Sequence, residues 1–133
     1  MRTTAREVAF KILFSSQFNE QLEYTKRSVI AGEKLDKNDI DFCDKIVDCV
    51  IEHRDELTQL IDSHSQLFPE SRLFCADRSI LLIAAAEILY FDDIPSAVSV
   101  NEAANIASKY SSAKSATFIS GILSEIIKEH DGV

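Results

Sequence analysis

Apolar side chains recur at helical spacing along the chain, and the clearest example lies in the first twenty residues. The apolar positions there fall on one face of a helix, and they are Ala5, Val8, Ala9, Ile12 and Leu13. Thr4 and Glu7 have the spacing of a capping box, in which both side chains satisfy free backbone amides at a helix start. The pattern predicts a helix that begins at Thr4 and fades near Asn19, with Arg6 and Lys11 on its surface.

Three further patterns follow in the middle of the chain. Residues 22–31 give a weak helical pattern that ends at Gly32. The polar cluster at residues 36–39 predicts the start of a stronger helix. Its apolar side chains are predicted to be buried. They are Ile40, Phe42, Cys43, Ile46, Val47, Val50 and Ile51. Another helix is predicted over residues 55–67, and Pro69 ends it because proline cannot continue a helix.

The most apolar segment runs from residue 80 to residue 86 and contains no polar side chain. A helix that is apolar on every side is normally buried. The helix predicted over residues 77–90 is therefore expected to be the central one, and its alanines at 84–86 should let neighbouring helices approach closely. Residues 92–95 predict a turn after it.

Two more helices are predicted towards the C-terminus. Ser99 and Glu102 have capping-box spacing and predict the start of a helix that runs to Tyr110. Ser115 is predicted to cap the last helix, whose inward side chains are Phe118, Ile119, Ile122, Leu123, Ile126 and Ile127. The patterns together predict about seven helices and no strands. This is an all-α fold in one domain over residues 1–133, with residues 131–133 frayed.

The composition agrees with this fold class. The chain has 133 residues, of which 46% are hydrophobic and 27% charged, as is usual for a globular domain. It contains only three glycines and two prolines. A β-sandwich or a β-barrel needs many turns, and turns are rich in these two residues, so their scarcity favours helices joined by short loops.

The net charge changes the expectation about partners. At −8 it argues against general affinity for nucleic acid. The charge is uneven, however, because residues 1–30 carry five lysines and arginines against three acids. An acidic protein can still bind RNA where its basic groups share one face.

We find no catalytic motif in the sequence. It contains no Gly-rich phosphate loop, no H-E-x-x-H and no G-x-S-x-G, so we expect a binding protein that needs no cofactor and no metal. Cys43, Cys49 and Cys75 form no C-x-x-C pair and are expected to be reduced thiols of a cytoplasmic protein. We expect no signal peptide, because the opening residues already have the pattern of an amphipathic helix. The longest apolar run, residues 80–91, contains Glu87 and is too short to span a bilayer.

Glu87 is an isolated acid in the most apolar helix. A buried carboxylate must be paired or hydrogen-bonded, or its pKa rises. It could bind a partner or act as an acid or base. The interpretation we favour is a structural buried acid that accepts hydrogen bonds from free backbone amides of the helix beginning near Ser99.

Six segments of the chain share their order and spacing with a known family. The segments are residues 5–14, 77–81, 86–89, 93–95, 100–103 and 118–123. They include an opening A-R-E, a D-x-P turn followed by N-E-A, and a closing F-x-x-G-x-L, which are specific only in combination. In these segments the chain resembles the NusB family of transcription antitermination factors. The resemblance covers nearly the whole chain and is weakest between about residues 21 and 38.

The resemblance implies a fold of two small helical bundles packed together. It also implies two partners within the RNA polymerase antitermination complex: boxA-type single-stranded RNA, and NusE, which is a ribosomal protein of the small subunit. The RNA-binding positions that it implies are Arg2, Arg6, Lys11, Phe14, Tyr110, Lys114, Thr117 and Phe118. The implied positions for the protein partner are Glu70, Asp77 and Arg78.

The chain departs from the family pattern in both predicted RNA-binding segments. The family's N-terminal arginine cluster is reduced to Arg2 and Arg6, and Phe14 replaces a common Tyr. Near the last helix, the family's Asp, Lys and Asn are replaced by Lys114, Thr117 and Ser120. Phe14 and Phe118 have two interpretations, because an aromatic ring can stack on RNA bases or pack in the core.

Three hypotheses about function follow. The first is a NusB-like factor that binds RNA together with NusE. The second is a NusB-like paralogue that keeps the protein interface but binds little RNA. The third is an accessory domain that acts through protein contacts with an RNA methyltransferase, and this chain would not itself be the enzyme because it has no methyl-donor site.

Overall fold

A computed structural model describes residues 2–16, 35–65 and 75–131. Nearly all of these residues are helical, and the described ranges contain no strand, so the all-α prediction is confirmed. The weak pattern at residues 22–31 and the stop at Pro69 lie outside the described residues, as do the last two residues. The helices are α1 (Arg2–Ser16), α2 (Lys37–Glu52), α3 (Arg54–Ser65), α4 (Cys75–Tyr90), α5 (Ser96–Tyr110) and α6 (Ala113–Asp131).

Helix α4 lies at the centre of the fold. Every residue from 80 to 86 is buried, and α4 contacts each of the other five described helices. Ala85 is fully buried, in agreement with the expectation that small side chains permit close helix packing. The prediction of a central helix over residues 77–90 is confirmed.

The remaining helices divide into two groups around α4. Helix α1 packs mainly on α2, and α5 packs most extensively on α6, while α3 contacts α4 and α6. Because α4 contacts both groups, the described residues form two small bundles with one shared helix, as the resemblance implied. None of the described helices is both long enough and apolar enough to cross a membrane.

The first two helix starts differ in how well the sequence predicted them. Asp36 caps α2, as expected, and its side chain accepts a hydrogen bond from the Asp39 amide at 2.8 Å. The predicted capping box of Thr4 and Glu7 is wrong, because α1 already begins at Arg2. Both residues therefore lie inside the helix, and their side chains are available for other contacts.

The last two helix starts also lie earlier than predicted. Pro95 precedes α5, which begins at Ser96, and proline suits this position because it has no amide proton to satisfy. Ser99 is therefore inside α5 and does not cap it. Helix α6 begins at Ala113, two residues before Ser115. The Ser112 hydroxyl accepts a hydrogen bond from the Ser115 amide at 3.0 Å, so Ser115 does not cap the helix.

One predicted core residue of α2 lies on the surface. Ile51 is exposed, whereas Phe42, Ile46, Val47 and Val50 are buried. Ile51 is one residue beyond Val50 and is therefore rotated by about 100° from it around the helix axis. The buried face of α2 does not extend that far.

Candidate functional site

Arg6 is buried, and the expectation that it is a surface cation is wrong. Its side chain is 3% exposed, and its guanidinium donates to the Glu87 carboxylate. The Nη2–Oε1 distance is 2.7 Å, and Nε lies 2.9 Å from Oε1 and 3.1 Å from Oε2. On α1, Arg6 shares one stripe with Phe10 and Leu13, both buried, because positions four and seven residues apart fall on the same helix face.

Glu87 is buried and hydrogen-bonded, but its donors differ from the backbone amides that were expected. It is 1% exposed, and it accepts from Arg6 and from the Ser99 hydroxyl, the latter at 3.4 Å. The expected donors were backbone amides, but Ser99 lies within α5, where its amide belongs to the helix. Burial raises the pKa of Glu87, and the hydrogen bonds from Arg6 and Ser99 oppose that rise.

The same network continues to a second, partly buried carboxylate on α5. Arg6 Nη1 lies 3.4 Å from Glu102 Oε1, and the Thr3 hydroxyl donates to that oxygen at 2.8 Å. The network therefore ties α1 to both α4 and α5 through charged groups. Arg6 and Glu87 lie in the interior, so this part of the network belongs to the fold and is unavailable to a phosphate, whereas Glu102 is 17% exposed.

Asp77, which the resemblance implied as a position for the protein partner, is buried and is therefore not placed for direct contact with a partner. It is 1% exposed, and its Oδ2 accepts from the Ser115 hydroxyl at 3.1 Å. The Ser111 hydroxyl donates in turn to Ser115 at 3.0 Å. Asp77 therefore connects the start of α4 with the start of α6.

Of the other two predicted protein-partner residues, Arg78 and Glu70, only Arg78 lies within the described residues. Arg78 is half-buried and pairs with Asp62 of α3 at 3.2 Å. Glu70 lies outside the described residues. Of the two predicted partner residues that the structure describes, Asp77 is buried and Arg78 is partly exposed at the surface.

Three predicted RNA-binding residues come together where α1 meets the end of α5. The Phe10 and Phe14 rings stack with centroids 5.7 Å apart, and the Tyr110 ring lies 5.2 Å from Phe10. Lys11 Nζ is 5.9 Å from the Tyr110 centroid, and Lys109 Nζ is 5.3 Å from it. We call Lys11, Phe14, Lys109 and Tyr110 the aromatic–lysine cluster.

The sequence did not lead us to Lys109 or to its pairing with Glu7. Lys109 Nζ donates to Glu7 Oε1 at 3.1 Å and to Oε2 at 3.2 Å. A signal was available, because Glu7, Lys11 and Phe14 are spaced four and three residues apart and share one stripe of α1. The assignment of Glu7 to a capping box hid that stripe.

The start of α6 adjoins this cluster. Two residues separate Tyr110 at the end of α5 from Ala113 at the start of α6. Lys114 and Thr117 are exposed in the first turns of α6, and the Thr117 hydroxyl donates to the Ala113 carbonyl at 3.2 Å. Phe118 is half-buried and packs against the core, as does Phe14, so each ring has one part in the core and another part at the surface.

Arg2 lies apart from the aromatic–lysine cluster. Nine residues separate it from Lys11, which places the two on opposite sides of α1. Its guanidinium carbon lies 4.4 Å from the Phe42 ring centroid, and Nη2 is 3.6 Å from Asp93 Oδ2. The structure therefore brings Lys11 and Phe14 of α1 close to Tyr110 of α5. It separates Arg2 from them and buries Arg6.

The cluster has the chemistry of a surface for single-stranded nucleic acid. Aromatic faces stack on unpaired bases, and ammonium groups bind phosphates. Among the described residues, no three His, Cys, Asp or Glu side chains come together as a metal site would require. Cys43 and Cys49 form no disulfide.

Comparison with known proteins identifies the family. The model of the NusB family matches residues 3–128. The transcription antitermination protein NusB of Oceanobacillus iheyensis is 36% identical, over 95% of this chain and 98% of that protein. The NusB of Natranaerobius thermophilus is 34% identical, over 96% of this chain and 95% of that protein.

Solved structures agree in fold. A T. maritima NusB superposes with a TM-score of 0.84 at 30% identity, over 98% of this chain and 92% of that one. A structure of NusB and NusE in complex with dsRNA gives a TM-score of 0.87 at 23% identity, with 96% of each chain covered. The chain belongs to the NusB family.

Proposed function

We propose that this chain is a transcription antitermination factor that binds boxA-type single-stranded RNA together with NusE in the RNA polymerase antitermination complex. Two relatives above 30% identity are transcription antitermination proteins, and the chain spans 95% or more of each. These relatives favour an antitermination factor over an accessory domain that acts through contacts with an RNA methyltransferase. The function is binding without catalysis, and it belongs in the cytoplasm, where bacterial transcription takes place.

The observation that carries the proposal is the aromatic–lysine cluster beside the start of α6. It offers partly exposed rings for unpaired bases and lysines for phosphates. The RNA-binding set proposed from the structure is Lys11, Phe14, Lys109, Tyr110, Lys114, Thr117 and Phe118. Arg2 can reach only a strand that crosses to the other side of α1, and Arg6 acts from the interior by fixing α1 in place.

The proposed surface for NusE lies at the start of α4. A NusB of the same fold has been solved with NusE and dsRNA, so the fold is compatible with such an assembly. Arg78 is the contact residue we propose there. Asp77 acts indirectly, because its hydrogen bond to Ser115 holds the start of α6 against α4.

The RNA proposal is tested by measuring boxA RNA affinity with and without NusE over a range of salt concentrations. Three lysines, Lys11, Lys109 and Lys114, give an expected slope of log affinity against log salt of about −2 for this chain alone, from about −0.7 per phosphate for single strands. NusE should raise the affinity by adding its own surface. A duplex of the same sequence should bind more weakly, because paired bases cannot stack on the aromatic rings.

A matched pair of variants locates the RNA surface. Lys11→Glu should weaken RNA binding strongly. Lys45→Glu makes the same charge change at an exposed position of α2 and should weaken binding far less. Equal losses would show that only net charge matters and that the cluster is not the site. If the complex with NusE binds no RNA even at low salt, the hypothesis of a paralogue acting through protein contacts replaces the proposal.

The partner proposal has its own test. Arg78→Glu should weaken NusE binding without changing the thermal melt, because the side chain is half-exposed and its ion pair with Asp62 adds little stability. Asp77→Asn keeps the shape and an acceptor for Ser115. NusE binding unchanged by Arg78→Glu would place the protein interface elsewhere.

A further inference from the structure

The cation nearest the Tyr110 ring already has an anionic partner within the chain. Lys109 Nζ lies 3.1 Å and 3.2 Å from the two oxygens of Glu7. The Tyr110 hydroxyl donates to Glu7 Oε2 at 3.4 Å. One carboxylate thus contacts the ammonium group and the phenol of two consecutive residues at the end of α5.

The two members of this ion pair differ in their access to solvent. The Lys109 side chain is 59% exposed, whereas that of Glu7 is 21% exposed. The ammonium group can therefore be reached from outside while the carboxylate remains beside it. The hydrogen bonds to Glu7 raise the pKa of Lys109, so the ammonium form is favoured throughout the neutral range.

The pair contributes little to holding the fold together. Exposed ion pairs gain little, because water screens them and ordering the two side chains costs entropy. The interior network of Arg6, Glu87 and Glu102 already ties α1 to α5. The contact of Glu7 with Lys109 therefore matters most for what the lysine can bind.

We propose that Glu7 occupies the place of an RNA phosphate on Lys109 and so acts as a competing intramolecular anion that an RNA strand must displace. Carboxylate and phosphate oxygens accept hydrogen bonds from an ammonium group in the same way. A phosphate beside Lys109 meets both the attraction of the lysine and the repulsion of Glu7. Glu7 therefore lowers the affinity for RNA that contacts the surface through its backbone alone.

This inference rests on the proposed function and adds a regulating residue to the same surface. RNA whose bases also stack on Tyr110 and Phe14 gains binding energy that does not depend on Lys109. Backbone contacts alone carry no sequence information. A carboxylate that weakens those contacts raises the share of binding that depends on the bases, and Glu7 thus favours RNA with unpaired bases at this position.

The test is a double-mutant cycle on RNA affinity in the complex with NusE, using the variants Glu7→Gln, Lys109→Gln and their combination. Glu7→Gln should tighten boxA RNA binding roughly fivefold, which is the Boltzmann factor for one like-charge pair at about 4 Å in water. Lys109→Gln should weaken binding less in the wild-type background than in the Glu7→Gln background.

The chain contains a matched control. Glu125 and Lys128 form another surface carboxylate–lysine pair, at 3.5 Å, further along α6. Glu125→Gln makes the same change in net charge but should leave RNA affinity nearly unchanged. An equal gain from Glu125→Gln would show that net charge alone is responsible and would overturn the proposal.

The remaining outcomes separate this inference from the proposed function. If the wild-type complex binds RNA and Glu7→Gln, with an unchanged thermal melt, binds equally or more weakly, then Glu7 does not compete with phosphate and only the inference fails. If neither protein binds RNA with NusE at low salt, both the inference and the RNA-binding function fail. The inference would also be overturned if Glu7→Gln tightened RNA binding equally with and without Lys109→Gln, because the inference attributes the tighter binding to the contact of Lys109 with phosphate.

Discussion

Arg6 and Glu7 are neighbours in α1, and each forms an ion pair with the C-terminal part of the chain. Arg6 pairs with Glu87 in the interior, where the two side chains are 3% and 1% exposed. Glu7 pairs with Lys109 at the surface. The step of one residue turns the helix by about 100°, which is enough to separate a buried charge from an accessible one.

This difference determines what each pair can do. Removing two charges from water has a large desolvation cost, so a buried pair adds little net stability, yet loss of one partner leaves an uncompensated charge. The surface pair pays no such cost and contributes little. The interior pair therefore specifies how α1 is seated on α4 and α5, whereas the exposed pair can exchange one anion for another.

The largest effect is expected from breaking the interior pair. Glu87→Ala leaves the Arg6 guanidinium buried without its main partner, and arginine cannot lose its proton in proteins. We expect the free energy of unfolding to fall by about 3–5 kcal/mol. Urea denaturation followed by circular dichroism measures this loss.

Two controls sharpen the comparison. Glu7→Ala removes the acid of the surface pair and should leave the urea midpoint almost unchanged. The double change Arg6→Met with Glu87→Met removes both buried charges, and it should recover most of the stability that Glu87→Ala loses. If Glu87→Ala proves as mild as Glu7→Ala, the guanidinium reaches water and the contrast between the two pairs is wrong.

The second prediction compares steric effects in the interior and at the surface. Ala85 is fully buried in α4, so Ala85→Leu should overpack the core and cost about 1–3 kcal/mol. Ala97 is exposed in the first turn of α5, and Ala97→Leu should change the melting temperature little. An unchanged melt for Ala85→Leu would show that helices next to α4 can move apart to make room.

The fold was largely predictable because hydrophobic periodicity reports burial directly. The seven apolar residues from 80 to 86 gave α4 its central place, and the Asp36 cap marked the start of α2. The other helix starts were predicted too late, because Thr4, Ser99 and Ser115 follow capping rules that also suit residues within a helix. A capping motif in the sequence does not show whether the helix has already begun one turn earlier.

The site was less predictable, because charged residues were assumed to face solvent. Arg6 lies on the same stripe as Phe10 and Leu13, and Glu87 lies in an apolar helix. Each was an isolated charge in an apolar setting, and the pairing of such residues could have been inferred from their opposite signs. The contact of Glu7 with Lys109 joins positions 102 residues apart, and no pattern within either helix specifies it.

The third prediction uses two stacked rings on α1, one buried and one half-exposed. If Phe14 stacks on RNA, Phe14→Ala should cost about 1–3 kcal/mol of binding free energy, with a smaller loss of folding stability. Phe10, one turn earlier, is buried, so Phe10→Ala should cost about 3–5 kcal/mol in folding. RNA titrations and urea denaturation of both variants separate the two effects. If Phe14→Ala instead destabilises the fold as strongly as Phe10→Ala and leaves the folded protein's RNA affinity intact, then Phe14 belongs to the core.

The smallest effect is expected at a third contact, between Tyr90 and Glu56. The Tyr90 hydroxyl donates to Glu56 Oε2 at 2.5 Å, and its ring stacks on His53 with centroids 4.0 Å apart. Burial, and then the hydrogen bond to Glu56, raise the pKa of Tyr90 to about 12. Since this pKa lies above the usual value of about 10 for an unfolded chain, the stabilising contribution is complete below about pH 10 and is lost between about pH 10 and 12.

Tyrosinate absorbance measures this directly, because the chain has only three tyrosines. The difference between the titration curves of the wild type and Tyr90→Phe should show one phenol with a midpoint near pH 12. Glu56→Gln should lower that midpoint, because it removes the negative charge beside the phenol. Glu52→Gln should lower it less, because Glu52 acts on Tyr90 through its charge and Glu56 also through a hydrogen bond. A midpoint near pH 10 in the wild type would mean that this exposed contact is broken in solution, and that surface pairs in this fold are even weaker than the contrast between Arg6 and Glu7 implies.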